Sequence, residues 1–304
     1  MPSRQLEWNA NLTRHLKELG PARASDALVP HNYLLNAKVL HAFHAEHWAG
    51  VTMAFGAATT AHAVRESGGR RLWITEYNLS PPTAVPLHEP SMVPSAAWLK
   101  NASFSLAHAG HILGHILAGI ESAGTVQMMH LHSLFGNPAT GRAFVKLHDG
   151  SMSVSSVAQI FAHVAALAKF HTEMAALDTS TAGMLSFNIT DEPLRRIQAV
   201  AFSTRKQLNG STIALVLINR DVEDVQVQIE VPVYGGGYRH VAYHEPDPGQ
   251  SLPWHEIQLD GSQAPSSFPW PGPVHTSIAS LPSHDVATVV LPKLSISVVE
   301  PNIL

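Results

Sequence analysis

The periodicity of the apolar residues changes once along this chain, near residue 180, and this change limits the folds that it can adopt. Up to about residue 178, helix-period segments alternate with short apolar strands in three successive strand–loop–helix units. Such units are typical of a parallel sheet covered by helices. From about residue 182 onwards, short β segments separated by Gly, Pro, Asn and Asp are typical of an antiparallel sandwich. We therefore expect two domains, residues 1–180 and residues 181–304.

In the first domain, apolar runs predict strands at residues 27–29, 72–75 and 125–131. Helical periodicity predicts helices at residues 11–19, 54–66, 96–122 and 153–177, the last with Ser153, Ser155 or Ser156 available as its cap. Three parallel strands cannot close an eight-stranded barrel, and an open sheet of three would expose a long edge. Either the chain is a fragment, or the sandwich and a partner cover that edge.

In the second domain, residues 197–203 and 212–219 are predicted to pair around the turn at Asn209-Gly210, a dipeptide that favours tight hairpins. Residues 225–231 alternate between apolar and polar side chains, which indicates a half-exposed strand. Further strands are predicted at residues 238–243, 254–259, 286–291 and 294–299. The fold class is thus α/β followed by all-β.

Composition excludes several classes of protein. The 304 residues are 45% apolar and 14% charged, with a formal net charge of −4, which argues against nucleic acid or an anionic membrane as the main partner. No apolar run is long enough for a transmembrane helix, and the first residues lack the apolar core of a signal peptide. There is no cysteine, so disulfides and thiolate chemistry are excluded, but the cellular compartment stays open.

Glu76 is the most informative single residue. Residues 72–80 read Leu-Trp-Ile-Thr-Glu-Tyr-Asn-Leu-Ser, a short apolar strand that ends in a polar cluster. A carboxylate at the end of a buried strand is costly unless it is solvated, paired or used. In a barrel of parallel strands, active sites are built at the carboxyl ends of the strands. The alternative is a structural Glu76 that faces water or pairs with Arg70 or Arg71.

Residues 73–78, Trp-Ile-Thr-Glu-Tyr-Asn, resemble the seventh-strand motif of clan A glycoside hydrolases, closest to the arabinofuranosidase-like and xylosidase-like branches. Residues 26–33, Asp-Ala-Leu-Val-Pro-His-Asn-Tyr, resemble the sixth strand of those enzymes, and residues 125–132 fall where the eighth is expected. Residues 213–220 and 281–291 resemble strands of their accessory sandwich. The resemblance implies an incomplete (β/α)8 TIM barrel, holding about strands six to eight, followed by an antiparallel β-sandwich.

The resemblance further implies a retaining O-glycosidase that acts on a plant- or microbe-derived polysaccharide or glycoside. Glu76 would be the nucleophile. The residues implied in substrate binding are His31, Tyr33, Tyr77, Asn78, His130 and His132, with Tyr33 as the best candidate to hold the nucleophile in its anionic form. No cofactor, metal, nucleic acid or membrane is implied, and the oligomeric state stays open. A full-length form could be extracellular.

One departure from the clan pattern concerns the general acid/base, which in these enzymes is a Glu that follows an Asn at the end of the fourth strand. This chain has no Asn-Glu dipeptide, and Glu7-Trp8-Asn9 has the reverse order with no strand before it. We therefore expect the chain to be the C-terminal part of a longer enzyme, or a degenerate relative, with little hydrolysis on its own. The alternative is a non-catalytic carbohydrate-binding or interaction protein.

The twenty histidines suggest a competing interpretation, a metal site. His108, His111 and His115 share one face of a predicted helix, and the last two have the four-residue spacing of a helical ligand pair. The zinc-protease motif is missing because no Glu follows the first histidine of that pair. The alternative is a polar outer helix face, and a second such face is formed by His41, His44 and His47.

Other chemistries lack their motifs. The glycines at 235–237 precede no helix, so a nucleotide-phosphate loop is not indicated. The Gly-x-Ser-x-Gly elbow of esterases is missing. Trp48 and Trp98 are candidates for stacking on a sugar ring, with core packing as the alternative for each.

Overall fold

The three-dimensional structure is a computed structural model, which describes residues 14–15, 18, 27–34, 37–79, 90–132, 144–148, 151–171, 173–185, 189, 194–206, 210–230, 237–258, 275–281 and 286–302. Residues 14, 15 and 18 are helical, within the helix predicted for residues 11–19, and the rest of that helix lies outside the described residues. The chain is a mixed helix-and-sheet protein with several sheets.

The helices and strands of the described residues are named in chain order. The α-helices are α1 (Ala37–His41), α2 (Trp48–Glu66), α3 (Val93–Asn101), α4 (Leu106–Glu121) and α5 (Ser156–Phe170). Short 3-10 helices occupy Ala45–His47, Pro90–Met92 and Ser180–Ala182. The strands are β1 (Ala27–Leu28), β2 (His31–Leu34), β3 (Arg71–Leu79), β4 (Val126–Leu131), β5 (Val145–His148), β6 (Ser151–Ser155), β7 (Glu173–Ala176), β8 (Ile197–Lys206), β9 (Gly210–Asn219), β10 (Val225–Glu230), β11 (Tyr238–His244), β12 (Trp254–Gln258), β13 (His275–Leu281), β14 (Val286–Leu291) and β15 (Ser295–Pro301).

A parallel sheet in the N-terminal half has β3 as its central strand. Strands β1 and β2 pair with successive stretches of β3, so together they form one edge strand that is interrupted at residues 29–30. Pro30 stands in the interruption, where its missing backbone N–H costs no ladder hydrogen bond. Strand β4 pairs in parallel with the opposite edge of β3. The three strands predicted from the apolar runs are therefore neighbours in one sheet.

Helices α2 and α4 pack against each other at very short range. A Cβ atom on Gly56 of α2 would lie 2.1 Å from the main-chain oxygen of His111 on α4, so only glycine allows this approach. Gly114 of α4 faces the main-chain oxygen of Met53 in the same way, with a notional Cβ contact of 3.0 Å. Because the two backbones nearly touch, even polar side chains on the facing surfaces of these helices are removed from water.

The single helix predicted for residues 96–122 is two helices, α3 and α4. Helix α3 ends at Asn101, and the positive φ of 63° at Phe104 prevents the helix from continuing into α4. Ser105 then caps α4, because its Oγ accepts a hydrogen bond from the main-chain N–H of His108 at 3.2 Å. A hydrogen bond from the C-terminal half also stabilises the backbone between the two helices: the main-chain N–H of Leu252 donates to the main-chain oxygen of Phe104 at 3.1 Å.

The helix predicted for residues 153–177 is shorter than expected, because strands flank it on both sides. Ser155 is its cap, accepting from the N–H of Ala158 at 3.2 Å, and α5 begins at the next residue. Before it, β6 reads Ser-Met-Ser-Val-Ser, an alternation typical of a strand that the prediction overlooked. After it, β7 pairs with β8. Strand β12, predicted as part of the sandwich, instead pairs with β6 in a three-stranded sheet with β5.

Six antiparallel strands in the order β13-β11-β15-β9-β8-β7 form the main sheet of the C-terminal half, and β10 pairs separately with β14. Strand β9 of this sheet is buried on both faces, which explains its unbroken apolar run. Ala214, Val216 and Ile218 belong to the core formed with α4 and α5, whereas Leu215 and Leu217 belong to the core formed with β10 and β14. This sheet thus joins the helices to the two-stranded sheet.

Candidate active site

Glu76 lies on the central strand of the parallel sheet, with His31 directly opposite it on β2. The sequence predicted a strand that ends at residue 75, but β3 continues to Leu79 because its last residues pair with both neighbouring strands. The pairing with β4 shifts register between Ile74 and Tyr77, where β3 carries one residue more than its partner. Such bulges re-aim side chains and are frequent beside active sites. Glu76 is one of the residues within this shift.

Two histidines flank the carboxylate of Glu76. The Nδ1 atom of His31 lies 3.6 Å from its Oε2, and the Nδ1 atom of His132 lies 3.7 Å from the same oxygen. The three side chains are 42%, 37% and 45% exposed for His31, Glu76 and His132. The structure therefore brings three of the predicted site residues together around a carboxylate that a ligand from solution can reach.

This arrangement has a definite chemical capacity. Both imidazoles lie within ion-pair distance of the carboxylate, and when protonated each stabilises its anionic form. When neutral, an imidazole N–H next to a carboxylate can donate to a sugar hydroxyl or hold the carboxylate in one orientation. Because only part of each side chain is buried, the carboxylate keeps contact with water and needs no buried counter-ion.

Asn78 is buried next to this site and does not line its surface. The side chain is fully buried, and its Nδ2 donates to the main-chain oxygen of His132 at 2.5 Å. Its Oδ1 accepts from the main-chain N–H of Leu79 and from Nε2 of His108, each at 2.7 Å. Asn78 thus fixes the backbone at His132, which carries one of the two imidazoles beside Glu76.

His108 also belongs to this site, although the sequence analysis considered it only as a metal ligand or as part of a polar helix face. Its Nδ1 accepts from the main-chain N–H of Phe104 at 2.9 Å, so the ring proton must be on Nε2, where it reaches Asn78. Burial and the nearby His111 hold the pKa of His108 well below its ordinary value, so the ring is neutral. The helix break at Ser105 places this ring, and nothing in the local sequence indicated which strand it would meet.

The structure places Tyr77 in the core. Its side chain is 2% exposed and its ring contacts that of His115, with 5.1 Å between the centroids. Burial also raises the pKa of its hydroxyl. The prediction that Tyr77 lines a sugar subsite is therefore left without support, because its ring is buried against helix α4.

Two further predicted site residues stay predictions. Tyr33 pairs through its backbone with Asn78, but its side chain lies outside the described residues. His130 is exposed, one position before the end of β4. Trp48 and Trp98 pack together edge to face, with ring centroids 6.0 Å apart, in a core cluster between α2 and α3. Their packing accounts for both tryptophans without a sugar.

The helical histidines do not form an outer polar face, as one interpretation of the sequence held. His108, His111 and His115 are all completely buried, the last two where α4 meets α2 and His108 against strand β3. In contrast, His41 and His44 are exposed. No group of three or more His, Asp or Glu side chains in the described part of the chain is arranged to hold a metal ion. Nor does that part contain a helix long and apolar enough to cross a membrane.

Solved structures of several family 51 arabinofuranosidases share this fold over part of their length. The GH51 arabinofuranosidase from Xanthomonas axonopodis pv. citri matches with a TM-score of 0.60 at 13% sequence identity, over 98% of this chain and 56% of that chain. The family 51 α-L-arabinofuranosidase AbfB from Bifidobacterium longum matches with a TM-score of 0.60 at 17% identity, over 99% and 57%. The enzyme from Thermotoga petrophila RKU-1 matches with a TM-score of 0.55 at 12% identity, over 98% and 56%.

At the level of the fold, these matches confirm the resemblance that was first drawn from residues 73–78. This chain folds like part of a clan A glycoside hydrolase of the arabinofuranosidase type, and it spans little more than half the length of the solved structures that it matches. No family model matches the sequence, and no curated protein is significantly similar to it. At such low identity the likeness concerns the fold alone.

Proposed function

We propose that this chain is the nucleophile-bearing part of a retaining O-glycosidase, with Glu76 as the nucleophile. In this proposal, strands β1 to β4 correspond to strands six to eight of an incomplete (β/α)8 barrel. The antiparallel sheets correspond to the accessory β-sandwich, with the division near residue 180. The observation that carries the proposal is the reachable Glu76 carboxylate, held between His31 and His132 on the central strand of the parallel sheet.

The reaction would proceed by double displacement. An oxygen of Glu76 attacks the anomeric carbon and forms a glycosyl ester, while the glycosidic oxygen departs with a proton from a general acid. Water then attacks the same carbon, the conjugate base of that acid takes its proton, and Glu76 is released. His31 and His132 orient the Glu76 carboxylate or donate to a sugar hydroxyl, and Tyr33 and His130 are proposed to complete the substrate contacts.

The proposed mechanism has no identified general acid. In a retaining enzyme the two carboxyl groups lie about 5–5.5 Å apart, and the Asn-Glu dipeptide expected for the second group does not occur in these 304 residues. Loss of general acid catalysis typically costs about 10²–10⁴-fold in rate. We therefore expect only slow hydrolysis of ordinary glycosides by this chain, and arabinofuranosides and xylosides are the first substrate class to test.

An activated substrate tests the nucleophile without requiring the acid. A dinitrophenyl arabinofuranoside with fluorine at C2 has a leaving group that departs unprotonated, and its glycosyl ester hydrolyses slowly enough to be detected. We expect mass spectrometry to show one added glycosyl group on the peptide that contains Glu76. Glu76→Gln should not be labelled, whereas Glu46→Gln, which changes an exposed glutamate on the same half of the chain, should be labelled as the unchanged protein is. Labelling that survives Glu76→Gln would disprove the proposed nucleophile.

The missing Asn-Glu dipeptide favours a second candidate, a non-catalytic carbohydrate-binding or interaction protein. Calorimetry with arabinose- and xylose-containing oligosaccharides separates the two candidates. Binding of an oligosaccharide with neither turnover nor labelling supports the second candidate. If no sugar binds and no labelling occurs, the glycosidase and the carbohydrate-binding form of the second candidate are both wrong.

A further inference from the structure

The parallel sheet of strands β1 to β4 has one face covered by helices and a second face that is partly open. Leu72 and Ile74 of β3 belong to core clusters formed with α2 and α4, and they are 1% and 0% exposed. Trp73 lies between them, points to the opposite face and is 39% exposed. Parallel sheets are almost always buried on both faces. The open face of this sheet therefore calls for a partner that covers it.

Apolar side chains cross the open face from strand to strand. Met128 of β4 is the backbone partner of Trp73 and is half-buried, whereas the next residue, Met129, packs on the helix side. Val29 directly follows Leu28, which also packs on the helix side, and it is 52% exposed. Exposed apolar side chains that lie together and are flanked by charged ones are typical of a protein interaction surface.

Two opposite charges lie on β3, one on each side of Trp73. Arg71 precedes it by two residues, is exposed and shares its face by strand alternation. Glu76 follows it by three residues and is 37% exposed, on the face opposite to Tyr77, whose side chain packs on the helix side. At about 3.3 Å per residue, Trp73 thus stands roughly midway between the two charges. A second β3 strand that runs in the reverse direction would place its Arg71 opposite Glu76.

We propose that the open face is a self-association surface, on which a second copy of this chain packs its own open face about a two-fold axis near Trp73. The two β3 strands then run antiparallel, and Arg71 of each copy pairs with Glu76 of the other. Packed sheets lie about 10 Å apart, a gap that an arginine and a glutamate bridge together when both are extended. Strands that ran parallel would instead bring like charges together. Because the contact is the same on both copies, it closes as a dimer.

This pairing covers Glu76, so it also regulates access to the site. That consequence rests on the proposed function, whereas the association itself does not. Labelling of Glu76 by the activated arabinofuranoside should slow as the protein concentration rises through the range in which the dimer forms. A labelling rate that does not change as the dimer forms would show that Glu76 stays open, and it overturns the assignment of this face.

Analytical ultracentrifugation of the whole chain without substrate tests the association by itself. From about 1 to about 100 µM, the mass should rise from the 32.8 kDa of one chain to twice that value, as mass action requires. A chain that stays monomeric over this range overturns the proposal and leaves the open face to a different polypeptide. A mass that grows beyond two chains overturns the closed two-fold arrangement.

Charge reversal locates the contact. Arg71→Glu and Glu76→Lys, each alone, should weaken the dimer at least about 10-fold, because each brings like charges together in both ion pairs. The double variant Arg71→Glu/Glu76→Lys forms the same pairs in the opposite sense and should restore the dimer. Such recovery also shows that the single variants dissociate through repulsion and not through misfolding. Lys100→Glu makes the same charge change at an exposed position of α3 and should leave the dimer intact. Single variants that associate normally, or a double variant that stays monomeric, overturn the proposal.

Discussion

The imidazole of His108 donates from Nε2 to Oδ1 of Asn78 at 2.7 Å, and this bond joins helix α4 to the central strand of the parallel sheet two residues after Glu76. The same amide donates from Nδ2 to the main-chain oxygen of His132, so Asn78 links helix α4 to the backbone at His132. A buried histidine on a helix thus positions the backbone of an exposed histidine beside the proposed nucleophile.

Asn78→Ala should therefore affect both stability and the site. The change leaves the buried N–H of His108 without its acceptor and frees the main chain at His132. We expect a loss of about 1–3 kcal/mol in the free energy of unfolding in urea, the usual cost of an unsatisfied buried donor. Labelling of Glu76 by the activated arabinofuranoside should also slow. Asn101→Ala, at an exposed position at the end of α3, is the control and should change neither. An unaltered urea midpoint in Asn78→Ala would contradict the role given to the network.

The buried histidines of α4 should make the protein sensitive to mild acid. Burial lowers the pKa of His111 from 6.5 to about 4, and it also lowers the pKa of His108 and His115, aided by His111. Below pH 6.5 the unfolded chain binds protons that the folded chain does not. The free energy of unfolding should therefore fall as the pH is lowered from 6.5 towards 4, by up to about 1.4 kcal/mol per pH unit for each histidine.

Urea unfolding at a series of pH values measures this slope. His111→Leu removes one buried titrating group and should reduce the slope by about one proton. His130→Gln changes an exposed histidine and should leave the slope as it is. A free energy of unfolding that stays constant between pH 6.5 and 4 is incompatible with neutral buried histidines.

Gly249→Ala should destabilise the contact between the C-terminal half and helix α3. A Cβ at residue 249 would lie 2.6–2.7 Å from three ring atoms of Trp98, and that ring is itself packed against Trp48. Forcing extra volume into such a site typically costs about 1–3 kcal/mol. The urea midpoint should fall accordingly. In a Trp98→Leu background, which makes room, the same change should cost much less; an equal cost in both backgrounds would rule out the steric explanation.

Tyr243→Phe should weaken the attachment of α5 to the main antiparallel sheet. The Oη of Tyr243 lies 2.6 Å from Nδ1 of His163, whose Nε2 lies 3.2 Å from Oε1 of Glu300. The carboxylate accepts from Nε2, and the other ring nitrogen, Nδ1, forms the hydrogen bond with the tyrosine hydroxyl. We expect a loss of about 0.5–1.5 kcal/mol in unfolding free energy. A double-mutant cycle with His163→Leu should give a coupling of about 0.5–3 kcal/mol, whereas additive effects would show that the two residues act separately.

Several elements could be predicted from the sequence because their signals are local. The apolar runs at 72–75 and 125–131 identified two neighbouring parallel strands, and alternation identified β10. The break between α3 and α4 was missed, because the Ala- and Leu-rich residues on either side of Phe104 are good helix formers and a positive φ at a phenylalanine has no sequence signal. The pairing of β12 with β6 joins residues about a hundred positions apart, which periodicity cannot report.

The candidate site divides in the same way. Local patterns, and the resemblance that they support, predicted Glu76 and His31 and their positions on adjacent strands. This was possible because the apolar runs occur along the chain in the order of the strands. The inward turn of Tyr77, the positioning role of Asn78 and the burial of His108 were decided only by the tertiary structure. The physical reason is that a sequence specifies which side chains are polar, whereas their partners depend on which distant groups the packing of α4 against the parallel sheet brings within reach.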